Sequence, residues 1–377
     1  MYDRTLNLRT LLKKRSHFLF GPRATGKSTL IRRTCPEARV YDLLDAAQYR
    51  RLLARPSLLE QETEPHDLIV IDEVQKLPAL LDEVHRLIEG RRQRFLLTGS
   101  SARSLRRGSA NLLAGRAFQA ELFPLTSAEF ENFDLLAYLN STGLPEFSGD
   151  VLAPEFLRAY VGTYLREEVQ AESLTRNLAA FSRFLDVVAL NNGEELNYAA
   201  IASDCGVPVR TLQSYYSILD DTLIGFAIPA FGRSRKRKAI SRSKYWLFDV
   251  GVVNSLARRG RIELGSELLG RALEHFIALE LRAFLSYRRH AVQLQYWRTT
   301  TGLEVDFVLD PYMAIEVKAT QMVTPKHLKG LRALQEEGLV QSLHVVSCDP
   351  VYRCTADPIH IWPWRLFLKN LWSGKFL

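Results

Sequence analysis

"GPRATGKST", residues 21–29, stands between the apolar run "HFLF" (17–20) and "LIRR" (30–33). The spacing Gly21-x-x-x-x-Gly26-Lys27-Ser28 is that of a phosphate-binding loop, and an apolar strand before it with a helix after it is the context that gives this pattern weight. Glycines let the backbone turn its N–H groups toward phosphate oxygens. The whole run Gly21, Pro22, Arg23, Ala24, Thr25, Gly26, Lys27, Ser28 and Thr29 is therefore predicted to cradle ATP. Lys27 would reach the β and γ phosphates, and Ser28 would ligate Mg²⁺.

Further short apolar runs follow at "RVYDL" (39–43), "DLIVIDE" (67–73) and "RFLLTGS" (94–100), with helical spacing between them as in "PALLDEVHRLIEG" (78–90). That alternation predicts a parallel sheet wrapped by helices. About 45 residues after Lys27, Asp72 closes a buried strand, where it can hold the metal through water, and Glu73 beside it can polarise a water for attack on the γ phosphate. Thr98 and Ser100 lie at a third strand end, where hydroxyls can sense that phosphate. Taken singly, an Asp-Glu pair could cap a helix and the hydroxyls could be turn residues; their order and spacing favour ATP hydrolysis.

The chain has 377 residues, 47% of them hydrophobic, enough for two or three domains. Lys and Arg total 50 against 42 Asp and Glu, a net charge of +8 that favours a polyanionic partner, with nucleic acid first among them. No apolar run reaches the roughly 18 residues of a membrane helix. The four cysteines are scattered without metal-site spacing, which predicts a cytoplasmic protein with no membrane association.

"GPRATGKST", "LIVIDEVQK" (68–76), "FLLTGSSAR" (95–103), "LLAGRAFQAELFPLTSAEF" (112–130) and "STGLPEF" (141–147) together resemble the bacterial and archaeal AAA-family ATP-binding proteins that carry a C-terminal domain of unknown function. The resemblance runs over most of the chain. It implies a P-loop AAA+ ATPase core, a homo-oligomer, and an arginine that completes a neighbour's site; Arg103 or Arg116 could take that role.

From about residue 150 helical spacing takes over. In "YAAIASDCGVPVRTLQSYYSIL" (198–219), Gly206 falls at a turn between Ile201, Ala202 and Cys205 on one side and Val207, Leu212 and Tyr215 on the other. This is helix-turn-helix spacing, with Arg210, Gln213, Ser214 and Ser217 facing outward. Strand-like runs then flank a basic loop, which predicts a winged helix. Arg233, Arg235, Lys236, Arg237 and Lys238 would hold DNA phosphates, and Arg210 or Gln213 would touch base edges. Winged helices also dock proteins, and a basic loop can be a solvated face.

In the last third, "EVDFVL" (304–309) and "AIEVK" (314–318) alternate around Asp310-Pro311, which predicts a hairpin. A turn near 311 sets Asp306 against Glu316 and Glu304 against Lys318, about 5 Å apart on one face. With Glu274 on the preceding helix, the set Glu274, Asp306, Glu316 and Lys318 resembles the PD-(D/E)xK nuclease core. That resemblance implies a Mg²⁺ or Mn²⁺ ion held by the three acids, with Lys318 positioning water. The sequence departs from the pattern in having "EVD" where a Pro-Asp dipeptide would stand, and a salt-bridged structural hairpin is the competing reading.

The expected organisation is an α/β AAA+ ATP-binding domain over 1–148, a helical and winged-helix domain over 149–261 and an α/β PD-(D/E)xK-like domain over 262–377. The expected function is a Mg²⁺-dependent ATPase that remodels or processes DNA, branched forms included. The alternative is an ATP-gated switch or scaffold without nuclease activity. A phosphotransferase is disfavoured because no acceptor motif is visible and Glu73 suits water as nucleophile.

Overall fold

The apolar runs around the glycine loop form one fully parallel sheet. In the computed structural model, which describes residues 2–100, 113, 115–164, 177–233 and 236–377, its strands are β1 (Ser16–Phe20), β2 (Arg39–Asp42), β3 (Leu68–Asp72), β4 (Arg94–Gly99) and β5 (Ala117–Glu121). Their order is β2-β3-β4-β1-β5. β1 is buried throughout, and β3 and β4 are buried along their middles, as helices covering both faces of a parallel sheet require. β4 lies between β1 and β3, with Leu19 beside Thr98 and Ile71 beside Leu97. The glycine loop, Thr98 and Asp72 therefore leave the sheet side by side at one edge.

The middle of the chain is helical, with Leu178–Leu190, Tyr198–Cys205 and Val209–Asp221 packed around Phe184, Cys205, Leu212 and Leu219. Gly206 takes φ +64° between the last two helices, and Ile201, Ala202, Cys205, Leu212 and Tyr215 are buried at their crossing. β6 (Gly225–Ile228) and β7 (Lys244–Leu247) follow as an antiparallel pair.

The last part carries a six-stranded mixed sheet: β8 (Gln295–Arg298), β9 (Glu304–Leu309), β10 (Met313–Lys318), β11 (Ser342–Ser347), β12 (Arg353–Cys354) and β13 (Ile359–Pro363), in the order β12-β13-β11-β10-β9-β8. The helix Glu267–Tyr287 covers one face through Phe276, Ile277 and Leu281 against Phe307 and Ile315. The helix Lys329–Gln335 covers the other. β9 and β10 pair with Leu309 opposite Met313 and Phe307 opposite Ile315, the register expected from a turn near 311.

The two ends of the segment joining β6 to β7 pair with β8 and the residues after it. Phe231 N donates to Tyr296 O at 2.6 Å, Tyr296 N to Pro229 O at 3.1 Å and Ile240 N to Arg298 O at 2.8 Å. β8 is an edge strand whose backbone groups need partners, and this segment supplies them. The units also share a core: Phe123, Leu135 and Tyr138 pack in one apolar cluster with Trp246, Phe276 and Leu371. Among the described residues no helix is long and apolar enough to cross a membrane.

Candidate functional site

The loop after β1 owes its shape to two glycines. A Cβ on Gly21 would stand 2.5 Å from the carbonyl oxygen of Leu122, and Gly26 adopts φ +87° as the N-cap of the helix Lys27–Thr34. That helix points its free N–H groups into the loop, which favours an anion there. Lys27 is buried, and its ammonium donates to Gly21 O at 2.6 Å and Pro22 O at 3.2 Å. Thr25 Oγ1 donates to Pro22 O at 2.8 Å, closing the turn on itself.

The strand ends converge as the sheet order dictates. Ser28 Oγ donates to Asp72 Oδ2 at 2.9 Å, and Thr98 Oγ1 donates to the other oxygen of the same carboxylate. Glu73 sits at φ +59°, a left-handed conformation that costs a non-glycine residue about 1–2 kcal/mol, and its N–H donates to Thr98 Oγ1 at 3.2 Å. Glu73 and Ser100 are both buried. Gln75, which sequence reasoning passed over, donates its amide to Glu73 Oε2 and lies 3.4 Å from Ser100 Oγ, so it joins the expected base to the expected phosphate sensor.

Two further residues grip the loop from outside. Arg4 Nη1 donates to Thr25 O at 2.7 Å, and Tyr160 Oη donates to Arg23 O at 3.4 Å. Arg4 lies in a short N-terminal stretch with no motif around it, which left no signal to find. Of the two expected finger arginines, Arg103 lies outside the described residues. Arg116 precedes β5 beside Ser16, at the end of the sheet opposite the glycine loop, and pairs with Glu89 at 2.5 Å. It does not reach the loop of its own chain.

In the C-terminal sheet the four expected residues do cluster, but lysines stand between the acids. Lys318 Nζ lies 2.5 Å from Glu316 Oε1 and 3.9 Å from Asp306 Oδ2. Asp306 Oδ2 also accepts the N–H of Val317 at 2.7 Å. Lys244, from β7, reaches Glu274 Oε1 at 3.1 Å and Glu304 Oε1 at 2.6 Å. Glu304 is shared with Arg298 at 3.4 Å. Burial, with repulsion from Asp306, pushes the Glu274 carboxyl up to about 7 against the pull of Lys244, and the same causes raise Glu316 well above the usual carboxylate range. Lys244 is held above its ordinary value because Glu274, Asp306 and Glu304 outweigh its burial. The buried Oε2 of Glu316 has no hydrogen-bond partner. Among the described residues, no group of three acids, histidines or cysteines is placed to hold a metal ion. Lys244 lies 30 residues before Glu274 in another unit, and no local spacing announced it.

The residues expected at DNA divide into two groups. Arg210 and Gln213 are exposed on the helix Val209–Asp221, beside Ser214 and Ser217. In the basic run, Arg233, Lys236 and Lys238 are exposed, and Arg235 lies outside the described residues. Arg237 is drawn down onto the C-terminal unit, 2.5 Å from Glu336 and 3.4 Å from Glu337, and Arg233 pairs with Asp310 at 2.8 Å.

Comparison with known proteins divides the chain in three. Residues 13–131 match the family described as AAA domain; residues 133–263 and 269–367 match two families described as Domain of unknown function (DUF8612) and Domain of unknown function (DUF4143). An uncharacterized protein of Methanocaldococcus jannaschii is 27% identical over 272 residues, which cover 64% of this chain and 58% of that relative. The match over 13–131 coincides with the parallel sheet and its converging strand ends, so this part of the chain is similar to an AAA domain in both sequence and sheet layout.

Proposed function

We propose that the protein is a Mg²⁺-dependent ATPase that binds DNA through its middle and C-terminal units and uses hydrolysis to remodel it. The observation that carries the ATPase half is the convergence of Lys27, Asp72, Glu73 and Thr98 at one sheet edge. Ser28 and Asp72, already 2.9 Å apart, would hold the Mg²⁺ that accompanies ATP, and the ion would offset phosphate charge. Lys27 would leave its loop carbonyls for the β and γ phosphates, and Glu73 would accept a proton from the attacking water.

Gln75 is the positioning residue in this reading. Removing its amide as Gln75→Ala frees the Glu73 carboxylate to rotate. The expected result is a kcat lowered about tenfold, equal to roughly 1.4 kcal/mol, with KM for ATP little changed. A rise in KM with kcat intact would assign Gln75 to ground-state binding instead.

The DNA half rests on the exposed Arg210 and Gln213 and on the exposed cations Arg233, Lys236 and Lys238 of a chain with net charge +8. Binding to duplex, forked and four-way DNA across a salt series, with and without Mg²⁺ and ATP, tests it. Neutralising Arg233, Lys236 and Lys238 together should reduce the slope of log K against log salt by about 2 to 3, nearly equally for every DNA. Arg237→Ala should cost stability more than DNA affinity, because its partners are Glu336 and Glu337.

A second reading, an ATP-gated switch that docks a protein and cleaves nothing, is favoured by one observation: part of the basic run is engaged within the chain, Arg233 by Asp310 and Arg237 by Glu336 and Glu337. No DNA binding at low salt, or unchanged affinity in the triple variant, would select it.

A further inference from the structure

The carboxylate cluster of the C-terminal sheet contains a cation that belongs to another unit. Four acids meet there, Glu274 from the long helix, Glu304 and Asp306 from β9 and Glu316 from β10. Such a concentration of negative charge, with Asp306 and Glu316 largely buried, needs a counter-charge of matching proximity. The Lys244 side chain is only 7% exposed and its ammonium lies 3.1 Å from Glu274 and 2.6 Å from Glu304. The ring of Tyr296 completes its surroundings at 5.3 Å. Lys318 serves the opposite side, against Glu316 and Asp306. Every acid expected to hold a metal thus has a lysine within 4 Å.

We infer that Lys244 is the built-in cation of this cluster, so that the site excludes divalent metal and instead fastens β7 of the middle unit to the C-terminal sheet. A divalent ion needs several oxygens at about 2.0–2.6 Å. Glu274 Oε1 is engaged by Lys244, whose ammonium is enclosed by Glu274, Glu304 and the ring of Tyr296. β7 is held by β6, by Glu194 O accepting from Tyr245 N at 3.2 Å, and by Asn192 Oδ1 accepting from Leu247 N at 2.7 Å. The lysine is thus anchored on both sides of the unit boundary. The inference stands whether or not the first unit hydrolyses ATP.

The test is Mn²⁺ titration of the nucleotide-free full chain, by calorimetry and by the electron paramagnetic resonance of free Mn²⁺, on the parent, Asp306→Asn, Lys244→Met and the double variant. The parent and Asp306→Asn should give the same isotherm, since the cluster takes no metal. Lys244→Met should gain one Mn²⁺ per chain, the gain should vanish in the double variant, and Mn²⁺ should raise the melting temperature of Lys244→Met but not of the parent. A site in the parent that Asp306→Asn removes would overturn the inference, as would a folded Lys244→Met that gains none. The comparison of parent with Asp306→Asn decides the matter even if Lys244→Met fails to fold.

Discussion

Glu73→Gln will keep ATP bound and lose hydrolysis by about 10² to 10⁴-fold, the usual worth of a general base. The amide is isosteric, so the left-handed backbone at Glu73 and its N–H bond to Thr98 are retained while the proton acceptor is lost. Lys27→Ala should fail earlier. Its ammonium is the buried cation of the loop, and without it the β and γ phosphates lose the side-chain charge expected to compensate them. Equilibrium binding of a fluorescent ATP analogue beside single-turnover hydrolysis separates the two effects. A Glu73→Gln protein that hydrolyses at the parental rate would remove Glu73 from the chemistry, and Lys27→Ala binding with parental affinity would remove the loop.

Arg4→Ala should destabilise the chain by roughly 3–5 kcal/mol, because it leaves a buried charge without its partner. The Arg4 and Glu129 side chains are 6% and 0% exposed and 3.0 Å apart. Glu129 accepts in addition from Thr5 N at 2.7 Å and Thr126 N at 3.0 Å, so it is held in place and cannot turn to water. The guanidinium also donates to Thr25 O, Phe123 O and the hydroxyl of Tyr287, tying the glycine loop to the long C-terminal helix. Denaturant midpoints read the stability loss. Arg4→Lys should recover only a minor part, since one ammonium cannot serve four acceptors in a planar fan. ATP affinity should fall with it, because the loop loses a support at Thr25. A midpoint within 0.5 kcal/mol of the parent, the range of an ordinary surface change, would show that Arg4 bears no such load.

The convergence of the candidate site was legible because its motifs are local: Gly21 to Ser28 are contiguous, and Asp72-Glu73 and Thr98 each end an apolar run that reads as a strand. The insertion of β4 between β1 and β3 was not, since strand order depends on packing between segments and leaves no mark in any one of them. The β9–β10 register was readable because a turn near Asp310-Pro311 determines the pairs Leu309–Met313, Val308–Ala314 and Phe307–Ile315. What that register could not reveal is who neutralises the acids. Lys244 is one of 50 basic residues in the chain, and only folding brings it to Glu274 and Glu304. The contacts of the β6–β7 connection were not legible for a related reason: a basic loop between two strands reads the same whether its ends stand in solvent or pair with a strand beyond it.

The central claim is that ATP is hydrolysed at the edge shared by β1, β4 and β3, and phosphate release tests it most directly. The full chain should release phosphate from ATP in Mg²⁺, the rate should rise when duplex or four-way DNA is added at low salt, and Lys27→Ala and Glu73→Gln prepared in parallel should release none above background. Release no faster than that of Lys27→Ala, with or without DNA, would contradict the account.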